Sequence, residues 1–341
     1  MEKILIRTRE RNRPRPTRTI SYAAILMMTL AAAPAATAAT ACKLSITACG
    51  CVMKKAKRFV LANDLTGSSA TADCLSISKA GAVLDMNGHA ITGPGGAATG
   101  AGIHVLSSGN GAVIEGTNSN GAKITQFGTG VLIDASDVVV ANVELLSNAQ
   151  FGLMINGGSR NALYDTDAGN SIDPSSGNGT AGVLIKDGVG NSIEDIHADH
   201  NGMYGVEISG GSNNALHDTD EDFDGIYGVW ITGSNGNRIV DSTGRFNSQL
   251  GLYIGCAPTG GVGGACSGVA TGSANVVDFG QYNSNTTAGI GVDSGDLANQ
   301  IGLNQVTSNG SADAIDANTN CGTNLWFVNQ FSTTPAQTCV K

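Results

Sequence analysis

Three consecutive 23-residue blocks constrain this chain more than any other feature. They read GVLIKDGVGNSIEDIHADHNGMY (182–204), GVEISGGSNNALHDTDEDFDGIY (205–227) and GVWITGSNGNRIVDSTGRFNSQL (228–250). Their opening recurs as Gly130-VLI, Gly152-LMI, Gly182-VLI, Gly205-VEI, Gly228-VWI, Gly251-LYI and Gly289-IGV. The spacings are 22, 30, 23, 23, 23 and 38 residues, so two of the intervals hold one repeat plus an insertion. Those insertions fall near 167–180 and over 256–274. A fixed period of this length is the mark of a stacked-repeat architecture.

Inside each block the apolar residues alternate with period two. Val229 and Ile231 share one face, and Trp230 points to the other. A second strand follows at 237–240, and a weaker third runs into the next block. Strands this short, joined by Gly, Asn, Ser and Asp corners, pair with their own equivalents one block away. The expectation is an all-β parallel solenoid with coils about 4.8 Å apart. Two asparagine columns support the register. One holds Asn161, Asn191, Asn214 and Asn237, with Asn275 and Asn299 continuing it; the other holds Asn148, Asn178, Asn201, Asp224, Asn247 and Asn285. Asn tolerates the left-handed backbone of a corner, and stacked Asn amides bond along the axis.

Composition agrees with a thin core: 48 Gly, 5% aromatic and 14% charged residues in 341. The net charge of −9 argues against a nucleic-acid surface. Residues 1–41 read as a secretory signal peptide. Arg7 to Arg18 form a basic leader, Ile20 to Ala33 an apolar run, and Ala36-Thr37-Ala38 and Ala39-Thr40-Ala41 small-x-small cleavage sites. The expected address is secreted or periplasmic, with no membrane span after cleavage. Cys42 directly after Ala41 keeps a lipoprotein as the alternative. All eight cysteines follow the cleavage region, which suits disulfides. Cys256 with Cys266 is expected to close the second insertion, and Cys321 with Cys339 to clamp the tail. Cys42, Cys49, Cys51 and Cys74 pair among themselves in an order the sequence leaves open.

The run Phe59-Val-Leu-Ala-Asn-Asp-Leu followed by Leu84-Asp-Met-Asn-Gly-His89-Ala-Ile-Thr-Gly, with a tail Cys321-Gly-Thr-Asn-Leu-Trp326, resembles secreted bacterial right-handed parallel β-helix repeat proteins of the pectate-lyase-like superfamily. The resemblance implies a right-handed parallel β-helix of about nine or ten coils. The boundaries expected are an N-terminal cap at 42–73, the β-helix at 74–318 and a C-terminal cap at 319–341. That architecture hosts lyases, hydrolases, epimerases and non-catalytic proteins alike, so it fixes no reaction. His89 reads as a structural corner.

Two outward stripes carry the candidate chemistry. On the strand after the Asn corner stack Asp165, Asp195, Asp218 and Asp241, then Asp167, His197 and Asp220, then Asp199, Asp222 and Arg245. Asp218, Asp220, Asp222, His197, Asp199 and Arg245 are the catalytic candidates: in a glycosidase paired carboxylates serve as general acid and base on the glycosidic bond, and in a polysaccharide lyase Arg245, a lysine or a histidine would abstract the proton. Asp195, Asp218 and Asp220 are the candidate ligands if the cofactor is Ca²⁺. A solvated acidic face accounts for the same residues. In the first strand, Glu207, Trp230 and Tyr253 form a candidate sugar-binding platform; the competing reading is that a loop covers them. Tyr204, Tyr227 and His200 read as core-facing. The expected partner is an extracellular polysaccharide, bound or cleaved by a monomer. The alternative is a non-catalytic surface structural protein or adhesin.

Overall fold

A computed structural model describes residues 40–116, 121–169, 173, 175–257, 262–263, 271–333, 335 and 337–341. The leader reading of 1–41 and the Cys256–Cys266 pairing fall largely on residues outside that set. The described chain is a right-handed parallel β-solenoid of about 11 turns. No helix among the described residues is long and apolar enough to cross a membrane.

The first sheet stacks twelve strands in parallel among the described residues, from Thr40–Ala41 to Ala312–Asp316. Register follows the repeat. Val183, Val206, Val229 and Leu252 are successive partners, and so are Ile185, Ile208, Ile231 and Ile254. Each faces inward and is fully buried. The second sheet files Leu163, Ile193, Leu216, Ile239, Val277 and Ile301 in the same way.

The count exceeds nine or ten because stacking begins before the first glycine-marked block. Within 42–73, Cys51–Met53 and Arg58–Leu61 already pair with the next coil's strands at Leu75–Ile77 and Val83–Asp85. At the other end, Leu325–Phe327 is still a rung of the second sheet. Disulfides Cys42–Cys51 and Cys49–Cys74 tie the first coils together, and Cys321–Cys339 holds the tail as expected.

The three strands per block are not always separate. In the middle coils the second and third run together as six-residue strands, Ala162–Asp167, Ser192–His197, Ala215–Asp220 and Arg238–Thr243. Each bends at its fourth residue: Asp165, Asp195, Asp218 and Asp241 have φ between 47° and 54°. That is the left-handed region, which Asp tolerates better than most residues.

Both asparagine columns are present as hydrogen-bonded files. Asn191 Nδ2 donates to Asn214 Oδ1 at 2.9 Å, Asn214 to Asn237 at 3.1 Å, Asn237 to Asn275 at 2.8 Å and Asn275 to Asn299 at 3.0 Å. These residues are at most 1% exposed. The bonds run along the axis and satisfy polar groups that would otherwise be stranded in the core.

Candidate functional site

The carboxylate stripe lies along the bent strands, and the structure divides it into two groups. The first lines a cleft of about 260 Å³ that includes Asn142, Glu144, Asp165, Asp167, Asp195 and His197. The cleft forms where the separate third strand Glu144–Leu146 meets the first bent strand, in register at Glu144 and Asp167. Lys123 pairs with Glu144 at 2.9 Å on the same rim.

His197 stands between carboxylates of adjacent coils. Its Nδ1 lies 3.1 Å from Asp167 Oδ1 and its Nε2 3.6 Å from Asp220 Oδ2. The hydrogen bond to Asp167, ahead of the surrounding negative charge, pushes the imidazole up to about 9, so it is a cation at neutral pH. Asp195 and Asp165 occupy successive rungs of the same corner. Their mutual hydrogen bond, then burial, raises Asp195 above the ordinary carboxylate range.

The second group is closed on itself. Arg245 donates from Nε and Nη2 to Asp222 Oδ2 at 2.9 and 2.6 Å, and from its backbone N to Oδ1 at 2.7 Å. The backbone N of Asp222 donates to Asp199 Oδ1 at 2.8 Å. Burial lifts Asp199 to about 7. Asp220 accepts from the Thr243 hydroxyl.

Of the catalytic candidates, His197 therefore lies in the cleft and Asp220 touches it through His197. Asp222 and Arg245 form a separate ion pair, Asp199 accepts from the Asp222 backbone N beside it, and Asp218 is an exposed corner residue. Among the described residues no group of three or more His, Cys, Asp or Glu closes tightly enough to hold a metal ion, so Asp195, Asp218 and Asp220 are not gathered as a calcium site. Asp165, Asp167 and Glu144 belong to the cleft and were not among the candidates. The first two lie in the carboxylate stripe; Glu144 lies in the first, 22-residue block, where Val138 replaces the corner Asn, and carries no such signal.

The aromatic stripe is covered. Trp230 is 7% exposed and Tyr253 fully buried. The Trp230 indole N–H donates to Gly255 O at 2.8 Å, and the Tyr253 hydroxyl donates to Asp293. Tyr204 and Tyr227 belong to the same cluster, with Tyr204–Trp230 and Tyr227–Tyr253 ring centroids both 4.9 Å apart. All four rings lie outside the solenoid core proper, under Ala257 and Val262 of the insertion. Tyr204 and Tyr227 are thus buried but not core-facing. The insertion supplies what short strands cannot, a second layer over a large apolar face. Glu207 pairs in register with Leu184 and Trp230 at the edge of this cluster, and burial lifts it to about 7.

His200 also points outward, contrary to the sequence reading. It stacks on Phe223 at 4.9 Å, and Phe223 on Phe246 at 4.8 Å; the two Phe are about half exposed. All three have φ near 60°, so this file is a corner whose side chains leave the core. His89 caps a corner as expected, with its Nδ1 3.1 Å from Asp64.

No protein-family model and no curated protein matches the sequence. Solved structures do. Dettilon tailspike protein is 11% identical over 84% of this chain, with a TM-score of 0.58. A point mutant of the periplasmic alginate epimerase AlgG is 10% identical over 79%, with a TM-score of 0.50. Pectate lyase Pel9A is 17% identical over 80% of this chain and 71% of its own, with a TM-score of 0.41. The chain spans 59% and 62% of the tailspike and epimerase structures. At these identities the likeness is one of architecture. The first two similarities and the register of its own strands identify this chain as a right-handed parallel β-helix protein.

Proposed function

We propose that the protein binds or processes an extracellular polysaccharide at the cleft formed by Asp165, Asp167, Asp195 and His197. The observation that carries this reading is the His197 imidazole held between Asp167 and Asp220 in a cleft that also holds Asp165 and Asp195. Asp195 in its neutral form is placed to give a proton to a glycosidic oxygen, and Asp165 or Asp167 to act as the carboxylate partner. The His197 cation offsets charge on an acidic sugar. The alginate epimerase among the similar structures supports including uronate polymers among the substrates. The basic leader, the small-x-small sites and the disulfides support secretion.

The test is incubation with acidic and neutral glycans, following new reducing ends and the ultraviolet absorbance of unsaturated products. Asp195→Asn should abolish turnover while leaving the fold intact, since Asn accepts the same left-handed corner. Product formation undiminished by Asp195→Asn rules out this chemistry.

A second reading, a non-catalytic surface protein or adhesin, has its own support. The Asp corners have a backbone reason to be Asp, and Arg245, Asp222 and Asp199 satisfy one another. Glycan retention without turnover, unchanged by Asp195→Asn, favours it.

A further inference from the structure

The second asparagine file has one member of a different kind. Asn148, Asn178, Asn201, Asp224, Asn247, Asn285 and Asn309 occupy successive coils. Asn148 Nδ2 donates to Asn178 Oδ1, Asn178 to Asn201 and Asn285 to Asn309, each at 3.1 Å. The same amides also donate to backbone carbonyls: Asn178 to Leu145 O and Asn247 to Glu221 O at 2.9 Å, and Asn285 to Gly244 O at 2.8 Å.

Asp224 keeps only the acceptor half of this pattern. Its Oδ1 accepts from Asn201 N at 2.8 Å, and its own N donates to Asn247 Oδ1 at 2.7 Å. Asp224 is 1% exposed, and its Oδ2 has no hydrogen-bond partner; neither has Asn201 Nδ2. Asn247 donates to the carbonyl of Glu221, and one 23-residue period earlier that carbonyl belongs to Ala198. Asp224 Oδ2 thus replaces an amide nitrogen that would donate there. A carboxylate oxygen has no proton to donate; a carboxylic acid has one.

Glu221 lies three residues earlier and is fully buried. Its Oε2 accepts from Ser242 Oγ at 2.7 Å, and its Oε1 has no partner. Both acids close on Gly205. A Cβ built there would meet Glu221 Cβ at 2.6 Å and Asp224 Oδ2 at 2.7 Å, so the space is filled by protein. The coil above presents Asp199, His200 and Asn201, and the coil below Ser242, Arg245 and Asn247. Arg245 is the cation among these, and it is bound to Asp222. Tyr282, one coil further, brings a buried hydroxyl but no charge.

We propose that Asp224 is a neutral carboxylic acid standing in for an asparagine amide, and that with Glu221 it forms an acid lock. The lock holds the segment Glu221–Asp224 on the solenoid while both are protonated and releases it as they ionise. Burial supports this, pushing Glu221 to about 8 and Asp224 well above the ordinary carboxylate range. The outward members of the segment are Asp222 and Phe223, so release frees Arg245 and the Phe223–Phe246 stack together.

Hydrogen exchange of residues 221–225 in the full chain, corrected for intrinsic rate, tests the lock between pH 6 and 9. In the wild type, opening should rise by up to about tenfold per pH unit for each acid that ionises on opening. Asp224→Asn should flatten that rise, fold at least as stably as the wild type at pH 8, and lose one carboxylic-acid carbonyl band in the infrared at neutral pH. Glu221→Gln should remove the remaining slope. An unchanged slope in Asp224→Asn, or failure of that variant to fold, overturns the proposal, because Asn is what every other rung of the file uses.

Discussion

Arg245 and Asp222, one coil apart, are joined by three hydrogen bonds, two of them from the guanidinium to a single carboxylate oxygen. The Asp222 side chain is 8% exposed and that of Arg245 36%. Removing the arginine strands a nearly buried carboxylate. Arg245→Ala is therefore expected to cost about 1–3 kcal/mol in denaturant unfolding, whatever it does to a reaction. A variant as stable as the wild type would show that solvent already satisfies Asp222.

Asn214 carries the first asparagine file across the middle of the solenoid. It accepts from Asn191 N and Nδ2 and donates to Asn237 Oδ1 and Gly188 O. Asn214→Ala strands buried groups on both neighbouring coils at about 1–3 kcal/mol each. A loss of at least about 3 kcal/mol is expected by equilibrium unfolding. Asn214→Asp should be tolerated better at pH 5 than at pH 8, since only the neutral acid can donate.

Stability should peak in mild acid. His104 bridges Asp73 at 2.8 Å through Nδ1 and Asp134 at 2.9 Å through Nε2, and the bond to Asp73 raises its affinity for protons. Its contribution is complete below the unfolded value of about 6.5 and disappears as pH rises through the higher folded value. Asp199 and Asp296, lifted by burial to about 7, act in the same direction. Their stabilisation is full below about 4 and is lost as pH climbs to about 7. Thermal midpoints should fall from pH 5 to pH 8, and His104→Gln should flatten the upper part of that decline. A midpoint that rises over this range would contradict the assignment.

Trp230→Ala should act on folding before it acts on any glycan. The indole is buried under the insertion and bonded to Gly255 O. A loss of about 3–5 kcal/mol is expected by chemical unfolding. Retained stability together with lost glycan binding would return Trp230 to the surface.

The architecture was legible because Gly205, Val206 and Ile208 repeat at a period that only vertical stacking satisfies, and because Asn cannot be buried repeatedly without a partner. The corner role of Asp195 and Asp218 was less legible: a residue that tolerates positive φ and a residue that donates protons can be the same Asp. Exposure of the outward stripe was not legible at all. Period two separates Trp230 from Val229 and Ile231 but says nothing of a loop that returns over the outer face. The cleft escaped for a related reason. Glu144 enters from an irregular coil and meets Asp167 only in three dimensions.

The blocks 182–204, 205–227 and 228–250 are congruent in length, in corners and in the first asparagine file, and differ in the second only by Asp224. Excising 205–227 would join Tyr204 directly to Gly228 and leave every surviving partner facing an equivalent one. Duplicating it would do the same in reverse. Such a molecule changes its height in whole storeys while its cross-section stays fixed, which offers lineages a way to lengthen or shorten the surface without redesigning its foundations.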